Sequence, residues 1–598
     1  MNNNTSALET KIRKTKLFVH DRNYSKWSFF DIDNNNEIDI ELYPILKSIN
    51  PIEQKCFNKD VVSIDRDGSA ASVVYSPIKT NDIIAGVLIL ETNKTYGRTE
   101  NGRLLYKCIP DDAHLPTFLV PFNVKIGFSK LQKNKYIVFR FDHWQHKHPW
   151  GVVAETLGDV DNLESFYEYQ LYCKSLHVSI TDFTNNARAI LKKNTQEQYI
   201  EQIRTNTAFN IEDYLDKYVF TIDPTNSVDF DDGFSVESGS GNSETIVTIY
   251  IANVFFWLET LGLWNSFSQR VATIYLPDRR RPMLPTILSD TLCSLQEKQQ
   301  RFAFAMIIRI DNTTGKMIGA PDYKNVIIRV SKNYSYDDPK LLHNDVAYQK
   351  LFEVTAKCDK DVISSHDVVS YWMIQMNKMT AEYMLKNNIG IFRTTTSDTT
   401  AATAIAPQDV HDIRHLNEET RRVIQLWNNN MGKYVMIGEN VPLDHFMMNT
   451  EYIHITSPIR RLVDLLNQMI LFRHLSMVSV SSKESVDFMN HWTEKLEYIN
   501  TTMRSIRKVQ TDCFLLNRCF TDPRIMENEY RGILFDKMQK NDGTFHYMVY
   551  LEELKLLSRI VSHLDLTNYS YYYFKLFLFE TEDNTKKKIR LQIQEKRI

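Results

Sequence analysis

The sequence predicts a multidomain α+β protein, with a central mixed α/β domain flanked by small β-barrels. Three observations carry this expectation. At 598 residues and 43% apolar content the chain can bury a large core, but it is too long for a single domain. Short β-rich runs broken by Asn, Asp, Gly and Pro fill both ends. Between about Tyr218 and Phe520, strand-like and helix-like stretches alternate instead.

Taken in order, KLFVHD, KWSFFDI, AASVVY and AGVLIL predict a first β-module over residues 1–95. RLLYKCIP, TFLVPF, YIVFRF and GVVAET predict a second over 96–160. Helix-like stretches at Asn162–Ser175 and Thr195–Arg204, with a connector from Thr184 to Thr195 between them, make 161–217 a helical linker. The α/β body is expected over 218–520, with a Gly-Ser hairpin at Ser238–Asn242 and a surface loop at Thr394–Pro407. Short strands return over 525–598.

Lys plus Arg (71) against Asp plus Glu (74) gives a net charge of −3, so no overall positive field gathers polyanions; any nucleic-acid contact is local. The seven cysteines include no CxxC pair and their number is odd, which points to a reducing compartment rather than a disulfide frame or zinc ribbon. The N-terminus lacks an apolar targeting segment and no run of eighteen apolar residues occurs, so an intracellular, soluble, most simply cytoplasmic protein without membrane contact is expected. His143, His146 and His148 have no Cys or spaced second pair beside them and read as strand histidines rather than a zinc site.

The chemistry concentrates in Ile222–Gly233, IDPTNSVDFDDG, where Asp223, Asp229, Asp231 and Asp232 fall within ten positions. Each close pair of like charges about 4 Å apart costs roughly 4 kcal/mol at an effective dielectric near 20. Such a cluster either faces water or invites cations, and an oxygen-only donor set favours a hard ion. A calcium EF-hand starting at Asp229 fails, because Gly233 and Ser240 would stand where acceptors are needed. The β-like flanks YVFTI and GFSVES place the cluster on a loop between strands.

Further on, Thr456-Ser457-Pro458 reads as a capping hydroxyl followed by a proline in the first turn of a helix whose apolar face is Ile459, Leu462, Val463, Leu466 and Ile470. Arg460 would then emerge beside unpaired backbone N–H groups, where a phosphate is readily held. The competing reading is a salt bridge to a carboxylate such as Asp464.

The Asp loop is followed by ATIYLP (272–277), RPMLPTILSDTLCSLQEKQQRFAFAM (281–306) and YIHITSPIRRLVDLL (452–466). In that order, over about residues 218–520, the chain resembles the catalytic region of the RNB family of 3′ to 5′ exoribonucleases, which includes ribonuclease II, ribonuclease R and the catalytic exosome subunit. The flanking β-modules resemble that family's OB-type domains, two of cold-shock type before the catalytic domain and one RNA-binding domain after it.

The resemblance implies a processive hydrolytic exoribonuclease that degrades single-stranded RNA to nucleoside 5′-monophosphates. It also implies metal ligation by Asp223, Asp229, Asp231 and Asp232 around two Mg²⁺ ions, with Mn²⁺ as the alternative. Asp231, Arg460, Tyr275 and Tyr336 become the expected catalytic residues. Tyr275, Tyr336, Arg460, Arg461 and Arg279 become the expected RNA contacts, the tyrosines by stacking on bases. A monomer is compatible with this reading, and no protein partner is indicated. The chain departs from the family pattern at Asn253 in YIAN, at Ser370 and Tyr371, at Leu462, Gln468 and Met469, and at Ile506. The competing expectations are a catalytically weakened RNA-binding protein and a phosphodiesterase of small nucleotides.

Overall fold

The computed structural model describes residues 14–65, 70–80, 83–124, 132–239, 243–394, 416–417, 419–421, 423–424, 427, 432–438, 444–445, 450–540 and 542–594. The chain divides into two compact units, Met1–His177 with Thr511–Glu529 and Phe574–Gln594, and Val178–Gln510 with Tyr530–Tyr573 and Glu595–Ile598.

In the first unit, β1 (Lys14–Val19), β2 (Trp27–Asp31), β3 (Val61–Ile64) and β4 (Ala71–Tyr75) form an antiparallel sheet in the order β2-β1-β3-β4. Alternation in KTKLFV sends Leu17 and Val19 inward. A second sheet, ordered β7-β6-β5-β8-β9, is built from β5 (Ile84–Leu88), β6 (Leu105–Pro110), β7 (Phe118–Pro121), β8 (Lys135–Phe141) and β9 (Gly151–Asp159).

The break between the two sheets therefore precedes Ile84 and does not fall at 95. The continuous apolar run at 84–88 is a central strand buried on both faces, and it belongs to the second module rather than the first. Gly86 is needed there, since a Cβ would lie 2.8 Å from the Ile109 carbonyl oxygen. The two sheets also share one core. Phe57 stacks on Phe118 with ring centroids 5.9 Å apart and meets Trp144 at 4.9 Å.

The second unit opens with helices Thr181–Leu191 and Gln196–Arg204, the latter closed by a capping box between Thr195 and Gln198. The expected connector at 184–195 is thus mostly helix, its Asn-rich surface face having masked the buried Phe183 and Ala187.

At the centre lies a closed barrel of β10 (Ile211–Asp223), β11 (Asp232–Ser238), β12 (Glu244–Ala252), β15 (Gln300–Asp311) and β16 (Asp322–Ser335). Every pairing in it is antiparallel except β10–β16, which closes the barrel in parallel register. The barrel begins seven residues before the expected boundary of 218. A register shift between Tyr214 and Val219 exposes the charged segment that hides this strand in the sequence. The hairpin expected at Ser238–Asn242 joins β11 to β12, and its tip at 240–242 lies outside the described residues.

The short pairs β13 (Ile274–Tyr275) with β14 (Arg280–Arg281), β17 (Ile391–Thr394) with β18 (Lys433–Met436), and β19 (Asp444–His445) with β20 (Thr450–Glu451) pack around the barrel unit, as do helices Ser365–Lys386 and Leu462–His474. Of the loop expected at Thr394–Pro407, only Thr394 is described, as the last residue of β17. Near the C-terminus, β21 (Glu529–Gln539), β22 (Phe545–Leu551), β23 (Leu556–Ser562), β24 (Tyr571–Glu580) and β25 (Lys587–Gln594) form a sheet in the order β23-β22-β21-β24-β25. Among the described residues no helix is long and apolar enough to cross a membrane.

Candidate active site

Asp223 ends β10 and Asp232 begins β11, so the acidic loop crosses from one strand of the barrel to the next. The segment Ser294-Leu295 straps it in place. Ser294 Oγ donates to the Val228 carbonyl at 2.8 Å and accepts from Phe230 N at 3.0 Å, while Leu295 N donates to the Phe230 carbonyl at 3.0 Å. Ser294 is held in turn by buried Arg301, whose Nε donates to its carbonyl at 2.7 Å. Ala252 N donates to the Asp231 carbonyl at 2.8 Å and fixes the loop against β12.

Clamped in this way, Asp231 and Asp232 are only 2% and 8% exposed, and Asp223 is half-buried. Each of the three has a buried Oδ2 with no hydrogen-bond donor. Asp231 is the most constrained: its Oδ1 accepts the Ile459 N–H at 2.9 Å, and Arg460 Nε lies 3.1 Å from its Oδ2. That second contact is an ion pair out of hydrogen-bond alignment, which is why the oxygen still lacks a donor.

Burial pushes the Asp231 carboxyl up to about 8 despite the pull of Arg460. Burial also raises Asp223 and Asp232, and Asp223 is raised further by the Asp232 charge beside it. Arg460 is held above its ordinary range by Asp231, Tyr275 and Asp232, against its own burial.

These shifts fix the sign of a stability effect. A carboxyl raised in the folded state binds its proton more tightly there than in the unfolded chain, where it titrates near 3.9. The stability it contributes is complete below about pH 4 and is lost as pH rises through about 8. Metal-free protein is therefore expected to melt progressively lower from pH 5 to pH 9, and Asp231→Asn to flatten that fall. Thermal unfolding of both proteins in a chelator across this range checks it; parallel curves would contradict it.

Asp229 departs from the expectation. Its Oδ1 pairs with Arg280 Nη1 at 2.9 Å and its Oδ2 accepts the Tyr275 hydroxyl at 3.2 Å, so both oxygens are engaged. Arg280 also pairs with Asp290 through its other terminal nitrogen. Tyr275 and Arg280 are cross-strand partners in β13–β14, and this hairpin delivers both groups to Asp229. Among the described residues no three His, Cys, Asp or Glu side chains gather closely enough to form a ready-made metal cage. The partnerless oxygens of Asp223, Asp231 and Asp232 nonetheless suit a hard divalent cation in donor type and charge. Asp229 as it stands does not.

The segment carrying Arg460 also differs from its reading. Residues 457–460 form a turn, and the helix runs Leu462–His474 with Arg461 at its N-cap, so Arg460 precedes the helix rather than lying in its first turn. The Leu462 N–H is spent on the Val271 carbonyl, and fully buried Asp464 accepts from Ser457 N and Arg461 Nη2, both at 2.8 Å. Arg461, expected to touch RNA, is thus the partner of Asp464. Arg460 takes Asp231 instead. Arg279, also expected to touch RNA, lies on the solvent side of the β13–β14 hairpin, its side chain 67% exposed and 3.6 Å from Asp278.

Tyr336 does reach the carboxylates. Its N–H donates to the Asp223 carbonyl at 3.2 Å, and its phenol is raised to about 12, first by burial and then by Asp232 and Asp223. Its ring stacks on His366, with centroids 3.5 Å apart and planes 14° from parallel. The neighbouring Ser365 Oγ donates to the Tyr336 carbonyl at 2.7 Å and sets this register. His366, Arg280 and Ser294 were missed by sequence reasoning. His366 lies in the first turn of helix Ser365–Lys386, which a capping box between Ser364 and Asp367 opens, and that box was the one local signal available.

The RNB domain family model matches residues 211–351 and 339–477, spanning the barrel, the Asp loop and Arg460. This region matches the RNB domain family. A curated relative, DIS3-like exonuclease 2 of Schizosaccharomyces pombe, is 22% identical over 462 residues, covering 62% of this chain and 48% of the relative; the chain spans about half the length of that protein. Among solved structures, Mycoplasma genitalium RNase R in complex with ribose methylated single-stranded RNA aligns with a TM-score of 0.65 at 16% identity, covering 97% of this chain and all of that one. Yeast Ssd1, a pseudonuclease, aligns with a TM-score of 0.57 at 14% identity, covering 94% and 80%.

Of the positions where this region departs from the family pattern, Asn253, Gln468 and Ile506 are buried. Asn253 is fully buried, and its side chain caps helix Val254–Thr260 by accepting from Phe256 N at 3.1 Å. Gln468 is buried with its amide 3.3 Å from the Ile455 carbonyl, Ile506 is buried, and Ser370 faces outward. Of the three histidines weighed for zinc, His143 lies 3.0 Å from Asp142 and packs against Trp150.

Proposed function

We propose that the chain is a metal-dependent, processive, hydrolytic exoribonuclease that removes nucleoside 5′-monophosphates from the 3′ end of single-stranded RNA. The observation that supports this most is the set of partnerless buried oxygens on Asp223, Asp231 and Asp232 beside Arg460. Leaving that much unpaired acid in the interior is costly unless a cation is to be held there. Asp223, Asp231 and Asp232 would hold Mg²⁺ or Mn²⁺, and bound ions of this kind supply an activated water and stabilise the leaving 3′ oxygen.

The chain's own groups do the rest. The Ile459 N–H fixes Asp231 in one orientation. Arg460, which lies against Asp231, would present its guanidinium to a phosphate. Tyr336 on its His366 support offers a stacking face, which every base can use. Incubating 3′-labelled and 5′-labelled single-stranded RNA with Mg²⁺ tests the reading. Stepwise loss of mononucleotide from the 3′ end is expected; internal cuts, or release that ignores Mg²⁺, would overturn it.

One observation favours a second reading, an RNA-binding protein without turnover. Asp229 is already engaged by Arg280 and Tyr275, which leaves the acidic set one member short. Tight RNA binding with no cleavage in either Mg²⁺ or Mn²⁺ would select that reading.

A further inference from the structure

Beyond the carboxylates, Arg393 and Arg507 of the second unit have no counter-charge among the described residues. Arg393 lies in β17 opposite Tyr434 of β18, with its guanidinium 5.0 Å from the centre of the Tyr434 ring. It is only 6% exposed, yet among the described residues its guanidinium has neither a hydrogen-bond acceptor nor a carboxylate within ion-pair distance. Its backbone N–H is spent on the Tyr452 carbonyl.

Arg507 is the second. It lies on helix Leu496–Thr521, and among the described residues its side chain likewise has no acceptor and no acid. Asn500, seven residues earlier on the same helix face, clasps the Tyr434 backbone, accepting its N–H at 2.7 Å and donating to its carbonyl at 2.8 Å. Gln510, one turn beyond Arg507, accepts the Tyr275 N–H at 3.4 Å. The face bearing Arg507 therefore runs from Tyr434, under Arg393, to Tyr275 at the acidic site.

Arg461 is neutralised by Asp464, and Arg504 meets Glu497 in solvent. Ile506, beside Arg507 in sequence, supplies no charge. Burial, followed by the Arg393 charge, lowers Arg507 to about 10, the sign of a cation short of anions. Burying the Arg393 guanidinium beside a half-buried Arg507, with no acid for either among the described residues, is unfavourable unless an anion joins them. Guanidinium forks bind phosphate oxygens in bidentate fashion.

We propose that Arg393 and Arg507 form a second phosphate subsite that grips a phosphodiester of the RNA strand leading to the acidic site. This rests on the RNA-degrading reading and deepens it. The test uses the full chain without divalent metal, so that RNA is bound and not cut. Binding of a fluorescent single-stranded RNA is measured against NaCl concentration for wild type, Arg507→Gln, Arg393→Gln and, as a control on the solvent side, Arg504→Gln.

Each lost phosphate contact should reduce the slope of log affinity against log salt by about 0.7 for single strands. Arg507→Gln is expected to show that reduction and Arg504→Gln to retain the wild-type slope. Arg507→Gln alone decides if Arg393→Gln fails to fold. Wild type that binds RNA while Arg507→Gln keeps its slope overturns the subsite. So does an Arg507 variant that alters only the melting shift produced by inorganic phosphate, since the site would then take free anion. Wild type that binds no RNA defeats the broader reading instead.

Discussion

Asp231→Asn is expected to bind single-stranded RNA much as the wild type does, while cutting it at least about a thousandfold more slowly, roughly 4 kcal/mol at the transition state. The substitution is nearly isosteric, and the side-chain oxygen that accepts the Ile459 N–H at 2.9 Å can be retained, so the turn carrying Arg460 keeps its anchor. What is lost is the charge. An amide replaces one of three buried oxygens without a donor, and its N–H groups would face Arg460 Nε, 3.1 Å away. The affinity of the site for a cation falls while the phosphate-binding guanidinium is set free. Binding titrations and single-turnover cleavage with Mg²⁺ separate the two effects. Equal loss of both would show Asp231 to be a folding residue only.

Asp464→Ala should have the largest effect on the fold, about 3 kcal/mol of lost stability, because it removes a fully buried carboxylate and leaves Arg461, its side chain only 25% exposed, without its partner. Asp464 is fully buried and binds Arg461 Nη2 and Ser457 N, each at 2.8 Å. Those two bonds shape residues 457–461, the turn that presents Ile459 N and Arg460 to Asp231. Cleavage should therefore fail under conditions where the variant is still folded. Asp464→Asn, which keeps an acceptor, should fall between the two. Denaturant unfolding gives the stabilities; an Asp464→Ala protein as stable as wild type would contradict the account.

What the sequence made legible, and what it did not, follows from the range of each signal. The acidic loop was readable because four Asp residues sit within ten positions between β-like flanks, and the structure places that loop between β10 and β11. The structure brings Asp223, Asp231, Asp232, Tyr275, Tyr336 and Arg460 to one neighbourhood. The engagement of Asp229 was not readable, because Arg280 and Asp290 lie 51 and 61 positions away and their pairing exists only once the hairpin folds. The Ser-Pro pair suggested a helix start that the structure moves to Leu462, since a buried carboxylate in that helix's first turn, Asp464, captures the Ser457 N–H. The strand at Ile84–Leu88 went to the wrong module because a run buried on both faces has no alternation to show which sheet it joins.

The central claim is that Asp223, Asp231 and Asp232 hold a hard cation beside Arg460. Diffraction from crystals grown with Mn²⁺, collected at a wavelength where manganese scatters anomalously, tests it most directly. The account predicts an anomalous peak about 2.0–2.3 Å from oxygens of at least two of these carboxylates, near the distances oxygen ligands take around such ions. A peak elsewhere, or none while Asp231 remains paired with Arg460, would contradict it.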